Sequence, residues 1–335
     1  MAVAVAAVRA AGGVCRRVQA DLVTAATLEK KDKSPVTVAD FAAQAVVCRM
    51  LGEAFGAGGG LRVVGEEDSR ELREDGAAAL REQVAHHAGL SENEALSAID
   101  LGGFDPAAGD DGESGKGGLG RAGERYWTLD PIDGTKGFLR GQQYAVALAL
   151  IEGGRVVLGV LGCPNLEAAD GGQGLLMAAT RGGGARVLPI DGEGVEGSAV
   201  KVSGVSDPAE ARFCESVESG HSDQDASVKI AADLGIGGEP YRIDSQCKYA
   251  AVARGDASIY LRLPTRPGYR EKIWDHAAGV LVVEEAGGRV TDVRGMPLDF
   301  SRGRTLEDNR GVVATNGAIH DRVIEVVKRY VQPAD

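Results

Sequence analysis

The sequence has no paired-cysteine pattern, no long apolar run, no surplus of basic charge and no internal repeat of solenoid period. Its five cysteines, Cys15, Cys48, Cys163, Cys214 and Cys247, are odd in number and far apart, without CxxC or Cys/His spacing. That argues against a zinc site and a disulfide framework, and points to a reducing compartment, cytoplasm or organelle lumen. No apolar stretch reaches the length that spans a bilayer, so no membrane role is expected. The chain carries 37 basic against 49 acidic residues, a formal net charge of −12. Such a balance argues against nucleic acid and anionic membrane surfaces as partners, and no obligate protein partner is implied. An anionic small substrate stays open if a metal reverses the local sign.

What is there is a chain of 335 residues, 44% hydrophobic, with 49 glycines: enough for one large domain or two of ordinary size. The opening "MAVAVAAVRAAGGVCRRVQ" is rich in Ala and Arg and poor in acids, like a targeting peptide. Its apolar spacing merges into a helix over 2–28 and is read as structure, with a removed presequence as the alternative. A second amphipathic helix opens near Thr37, and "LRVVGEED" reads as a short strand ending in acids. From about His87 to Glu124 the chain is glycine-rich and acidic, and residues 88–124 are expected to form a mobile surface insertion. "QYAVALALIEGGRVVLGVLGCPN" and "GLLMAATRGGGARVLPI" read as hairpins. Beyond about residue 200 strands and helices alternate, with a soft boundary at 165–200.

Acids gather at the ends of these elements. "VVGEED" carries Glu66, Glu67 and Asp68, "LDPIDGT" carries Asp130 and Asp133, "WDHAAG" carries Asp275, and "SPVTVAD" carries Asp40 at a helix start. Each alone reads as a cap, a turn or a solvated strand end. As a set they suit hard cations such as Mg²⁺, which take oxygen ligands and support phosphoryl transfer. Pro131 keeps a helix from running through the Asp130–Asp133 pair, and Gly134-Thr135 opens a helix whose free N–H groups can hold phosphate oxygens.

"GEE", "LDPIDGTKGF" and "WDHAAG", in this order, resemble the lithium-sensitive, magnesium-dependent phosphatases of the inositol monophosphatase superfamily. The resemblance implies an α/β chain with a layered αβαβα sandwich: an α+β N-terminal half (1–180) carrying most metal ligands and an α/β C-terminal half (181–335). It implies two to three Mg²⁺ ions on Glu66, Asp130, Asp133, Asp275 and the Ile132 carbonyl, with Glu67 left as a strand-end acid. Within the superfamily, "SPVTVAD", "VESGHSDQDA", "DSQCKY" and "YLRLP" look like the 3′(2′),5′-bisphosphate nucleotidases of sulfur metabolism. Those enzymes convert 3′-phosphoadenosine 5′-phosphate to AMP, and some accept its sulfated analogue or inositol 1,4-bisphosphate. By that similarity Asp40 and Thr135 activate the water, and Thr135, His221, Ser245, Lys248, Arg262 and Asp275 bind the bisphosphate nucleotide. An inositol monophosphatase or inositol polyphosphate 1-phosphatase is the competing enzyme, and a non-catalytic phosphonucleotide sensor the competing class.

Overall fold

The structure, a computed structural model, describes residues 1–23, 34–57, 60–108, 124–169, 171–217, 224–266 and 268–331. Helix α1 (Ala2–Leu22) buries Ala4, Val8, Ala11, Cys15 and Val18, the three-to-four spacing that makes one apolar face. It lies beside α2 (Ser34–Phe55), which is buried along most of its length. Both cover one face of a seven-stranded sheet, β1 (Val63–Gly65), β2 (Arg125–Asp133), β3 (Ala145–Glu152), β4 (Arg155–Glu167), β5 (Gln173–Thr180), β6 (Gly184–Pro189) and β7 (Ser198–Ala199). The strands follow chain order across the sheet, with β1 parallel to β2 and every later neighbour antiparallel.

Alternation along the strands splits the core. On β3, Val146, Leu148 and Leu150 meet the α1–α2 side, whereas Ala145, Ala147, Ala149 and Ile151 face the opposite layer. That layer holds α7 (Cys247–Arg254) and α8 (Ala277–Glu285), and it is closed on its far side by a second sheet. The second sheet runs β11 (Arg289–Thr291), β12 (Val312–Thr315), β10 (Ile259–Arg262), β8 (Phe213–Glu215) and β9 (Tyr241–Arg242). Tyr260 and Ala314 point into the middle layer, while Ile259, Leu261 and Val313 pack outward on α6 (Gln224–Asp233) and α9 (His320–Tyr330). The result is the expected αβαβα stacking. Strand β4 accepts a helix on each face by being glycine at the contacts. A Cβ on Gly159 would stand 2.8 Å from the Ala278 carbonyl oxygen, and one on Gly162 would stand 2.8 Å from Val8 Cγ1.

The expectation of a surface insertion over 88–124 is corrected for its first part, residues 88–104. Residues Ala78–Ala88 form α3, and Glu92–Asp100 form α4, which buries Ala95, Leu96, Ala98 and Ile99 against α2. Its start is fixed by a capping box: the Ser91 hydroxyl accepts from the Glu94 N–H, and the Glu94 carboxylate accepts from the Ser91 N–H. Beyond it, the Gly65 N–H donates to Gly102 O and the Phe104 N–H to Val63 O, so the segment seals the free edge of β1. The glycine-rich average concealed a short amphipathic helix. Residues 109–123 lie outside the described residues.

Because Ile99 is fully buried, Ile99→Ala should cost about 2–5 kcal/mol, read as a lower denaturant midpoint. An unchanged midpoint would return this segment to the status of a surface appendage.

Candidate active site

The site begins with an irregularity in β2. Asp130 lies opposite Ala147, and Asp133 lies opposite Ala145, so three steps along β2 match two along β3. In a regular strand, residues three apart point to opposite faces. The extra residue restores the parity, and Pro131, without an N–H for the ladder, falls within the bulge. Residues directly opposite in an antiparallel pair share a face, and Ala145 and Ala147 both face the middle layer. Both acids of "LDPIDGT" therefore address the same layer.

Gly134 then turns the chain with φ 95°, and a Cβ there would stand 2.8 Å from Ser245 Cβ. Only glycine meets both demands. The short helix α5 (Thr135–Leu139) follows, with Gly134 as its N-cap, so Thr135 is not the capping residue. Ser245 has φ 65°, the sole positive value at a non-glycine among the described residues. This strained turn aims the Gln246 N–H at Asp133 Oδ2, 2.6 Å away, and starts α7 with Lys248 inside the site. The Gln246 side chain bonds Trp274 O at 2.8 Å and the Gly279 N–H at 3.1 Å, tying this turn to the Asp275 turn.

Asp133, Thr135, Ser245, Lys248, Arg262 and Asp275 line one cavity of about 390 Å³. Lys248 is 3% exposed, its ammonium 5.3 Å from the Tyr260 ring centroid. Burial pushes its pKa down, and Asp133 opposes that shift. Arg262 is not waiting for an external anion alone: its Nε donates to Glu271 Oε1 and Oε2 at 3.2 and 3.3 Å. Burial disfavours its charge, but the Glu271 carboxylate outweighs burial and holds it cationic. Glu271 is 5% exposed; burial raises its carboxyl, yet His276 and Arg262 prevail and keep it below the ordinary value. An ionised Glu271 must accept, so His276 Nε2 carries the proton at 3.3 Å, and Nδ1 meets the Tyr249 hydroxyl at 2.7 Å.

Asp133 and Asp275 belong to a larger group of interacting acids that extends beyond the cavity wall. Burial first, then the charges of Glu66, Asp133 and Asp275, push Asp130 well above the usual carboxylate range. Asp275 rises by burial, Asp133 and Glu66; Glu66, exposed at its turn but closely surrounded, rises by desolvation, with a hydrogen bond to Asp130 opposing the shift and Asp133 adding to it. Asp133 rises by burial against the pull of Lys248 and the Gln246 N–H. Asp40 on α2 rises by burial, then by Glu67 and Glu66, and Glu67 is pushed to about 7 by burial and Glu66. Among the described residues, Asp130 Oδ1 is buried without a hydrogen-bond partner. Four mutually repelling carboxyls and one orphaned buried oxygen fit a hard cation as their missing partner. The ligand atoms of Glu271, Asp275 and His276 also lie within 4.8 Å of one another, but Glu271 is already engaged by Arg262 and His276.

Of the residues singled out in the sequence, His221 lies outside the described residues. Ile132 sits in the bulge with its side chain buried. Sequence reasoning missed Gln44, whose side-chain amide bonds both the Glu67 carbonyl (2.7 Å) and N–H (3.1 Å) and so fixes the acidic turn. Its signal was a glutamine within the apolar "DFAAQAVV", since a buried polar side chain must find partners. Glu271 and Arg304 carried no local signal.

The raised carboxyls have a sign. Each binds a proton in the folded chain that the unfolded chain has released, so metal-free stability falls as pH climbs from about 4 through the raised values. His320, held at about 4 from 6.5 by burial, acts oppositely, whereas Asp68, held at about 2 by Arg70, is ionised throughout. The melting-temperature gain from Mg²⁺ over chelator should therefore grow between about pH 5 and pH 8. A gain that shrinks with pH would contradict the coupling.

The inositol monophosphatase family model matches residues 1–332. A 3′(2′),5′-bisphosphate nucleotidase of Oryza sativa is 45% identical, covering 98% of this chain and 93% of its own length. One from Schizosaccharomyces pombe is 44% identical, covering 96% and 93%. The solved inositol monophosphatase of Anabaena, 22% identical, superposes with a TM-score of 0.59 over 99% of this chain and 95% of that one, a likeness of fold. No described helix is long and apolar enough to cross a membrane. This chain belongs to the inositol monophosphatase family.

Proposed function

We propose that this chain is a Mg²⁺-dependent phosphatase that removes the 3′-phosphate of 3′-phosphoadenosine 5′-phosphate, leaving AMP. The observation that carries the reading is one cavity lined both by the acids Asp133 and Asp275 and by the cations Lys248 and Arg262. A substrate with two phosphates needs both kinds of group. The relatives at 44–45% identity, named for this activity, support the same choice. The sulfated analogue and inositol 1,4-bisphosphate are further candidate substrates.

Glu66, Asp130, Asp133, Asp275 and the Ile132 carbonyl would hold two to three ions. Magnesium bound there would lower the pKa of the attacking water and neutralise charge on the departing oxygen. The chain's own groups do the rest. The Thr135 hydroxyl, exposed at the cavity wall, orients the water. A threonine hydroxyl is no base at neutral pH, so the proton passes toward Asp40, whose raised carboxyl is suited to accept it. Lys248 supplies a compact charge, Arg262 a planar fork held in place by Glu271, and Ser245 a hydroxyl to the second phosphate. His221 completes the nucleotide contacts.

Phosphate release from 3′-phosphoadenosine 5′-phosphate, inositol 1-phosphate and inositol 1,4-bisphosphate tests the substrate directly. The nucleotide should be turned over fastest, and preference for the inositol monoester would assign the competing activity. Chelation should abolish turnover, and Li⁺ should inhibit it. Binding of the nucleotide without any release of phosphate would mark a sensor.

Loss of a charge-assisted hydrogen bond costs on the order of 1.5–3 kcal/mol. Lys248→Ala or Arg262→Ala should then raise KM for the nucleotide by about tenfold or more, with little change for a small monophosphate. Equal losses on both substrates would place these residues in the metal site or the fold instead.

Asp40→Asn and Thr135→Ala should lower kcat strongly while leaving nucleotide affinity near that of the wild type. Undiminished turnover in either variant would show that the water is activated by other groups.

A further inference from the structure

We propose that Arg304 is a positioning residue: it clamps the turn carrying Glu66 onto the turn carrying Asp275, and so sets how tightly the acid cluster takes divalent cations. The inference rests on the metal reading above. Two sets of contacts meet at this one residue. Its Nη2 donates to the carbonyl oxygen of Gly65, the residue before Glu66, at 2.6 Å. Its guanidinium carbon stands 4.8 Å from the ring centroid of Trp274, the residue before Asp275.

The backbone makes the clamp specific. The Ile273 N–H donates to Arg304 O at 3.1 Å, the Leu306 N–H donates to Glu271 O at 2.9 Å, and Lys272 bridges Thr305 between them. Residues 304–306 are therefore zipped to the strand-like approach to Asp275. From that fixed base the side chain crosses to a turn 239 residues earlier in the chain. A third contact, Nη1 to Phe104 O at 3.4 Å, ties the same guanidinium to the segment sealing β1.

Arginine suits this task where lysine does not. A planar guanidinium stacks on an indole face and donates in its own plane at the same time; an ammonium offers one compact charge. Lys272 already supplies such a charge 5.7 Å from the same ring. Arg304 does not line the cavity that holds Lys248 and Arg262, so its contribution separates from nucleotide binding.

The full chain is compared with Arg304→Lys and Arg304→Gln by calorimetric titration with Mg²⁺, melting temperature in chelator, and KM for 3′-phosphoadenosine 5′-phosphate at saturating Mg²⁺. Groups that orient metal ligands are worth roughly tenfold to a hundredfold in metal affinity, so the Mg²⁺ dissociation constant should rise by that factor. Arg304→Lys, which keeps the charge but loses the fork, should retain the fold and still show the weakened Mg²⁺ binding. KM at saturating Mg²⁺ should stay near that of the wild type. Variants that take Mg²⁺ as tightly as the wild type, with or without a lower melting temperature in chelator, overturn the inference alone. A wild-type chain that does not bind Mg²⁺ overturns the metal reading and this inference with it.

Discussion

Carboxylates held close together in a poorly solvated place repel one another, and the rest of this site is arranged around that constraint. Asp130, Asp133, Asp275 and Glu66 come from β2, the turn before α8 and the end of β1. Without a counter-charge each is driven toward its protonated form, mainly by burial and then by its neighbours in the case of Asp130 and Asp275. A fold that keeps them together must fix their backbones firmly, since the side chains alone would separate. The bulge at Pro131, the Gln44 amide on the Glu67 backbone and the Gln246 contacts to Asp133 and Trp274 are the means. Arg304 spans the two acid-bearing turns from outside the cavity.

The same economy governs the cations. In a chain of net charge −12, free positive charge facing a phosphate is scarce. Lys248 is buried beside Tyr260 and Asp133, and Arg262 is braced by Glu271, itself held by His276, whose other ring nitrogen meets the Tyr249 hydroxyl. A buried ion pair of this kind fixes geometry more than it adds stability. Asp244 extends the pattern: it accepts from Arg140 at 2.5 Å and from the Val217 N–H at 3.0 Å, joining two segments beside the cavity.

How much of this was legible in the sequence depends on distance along the chain. The motif "LDPIDGTKGF" showed acids at a strand end and a glycine turn, and the structure has both. The parity change that turns Asp130 and Asp133 to one face was not legible, because register belongs to the pairing with β3. Helix α4 was missed because a glycine-rich average outweighed the four-residue capping signal "SENE". Arg262 read as a strand-end cation in need of an anion, yet its first anion is Glu271, nine residues on across a turn. Glu67 read as an exposed strand-end acid, whereas it is half-buried and its carboxyl is pushed to about 7. Arg304 could not be singled out at all, since the oxygen it holds lies at the other end of the chain. Local chemistry is written locally; the clamps that make it a site are not.

The central claim is that the bulged pair Asp130 and Asp133 shares cations with Glu66 and Asp275. Anomalous diffraction from crystals soaked in Mn²⁺ locates such ions without reference to turnover. The account predicts peaks among these four carboxylates, with one ion against the orphaned Asp130 Oδ1. Peaks confined to Glu271, Asp275 and His276, or none within reach of Asp130, would contradict it.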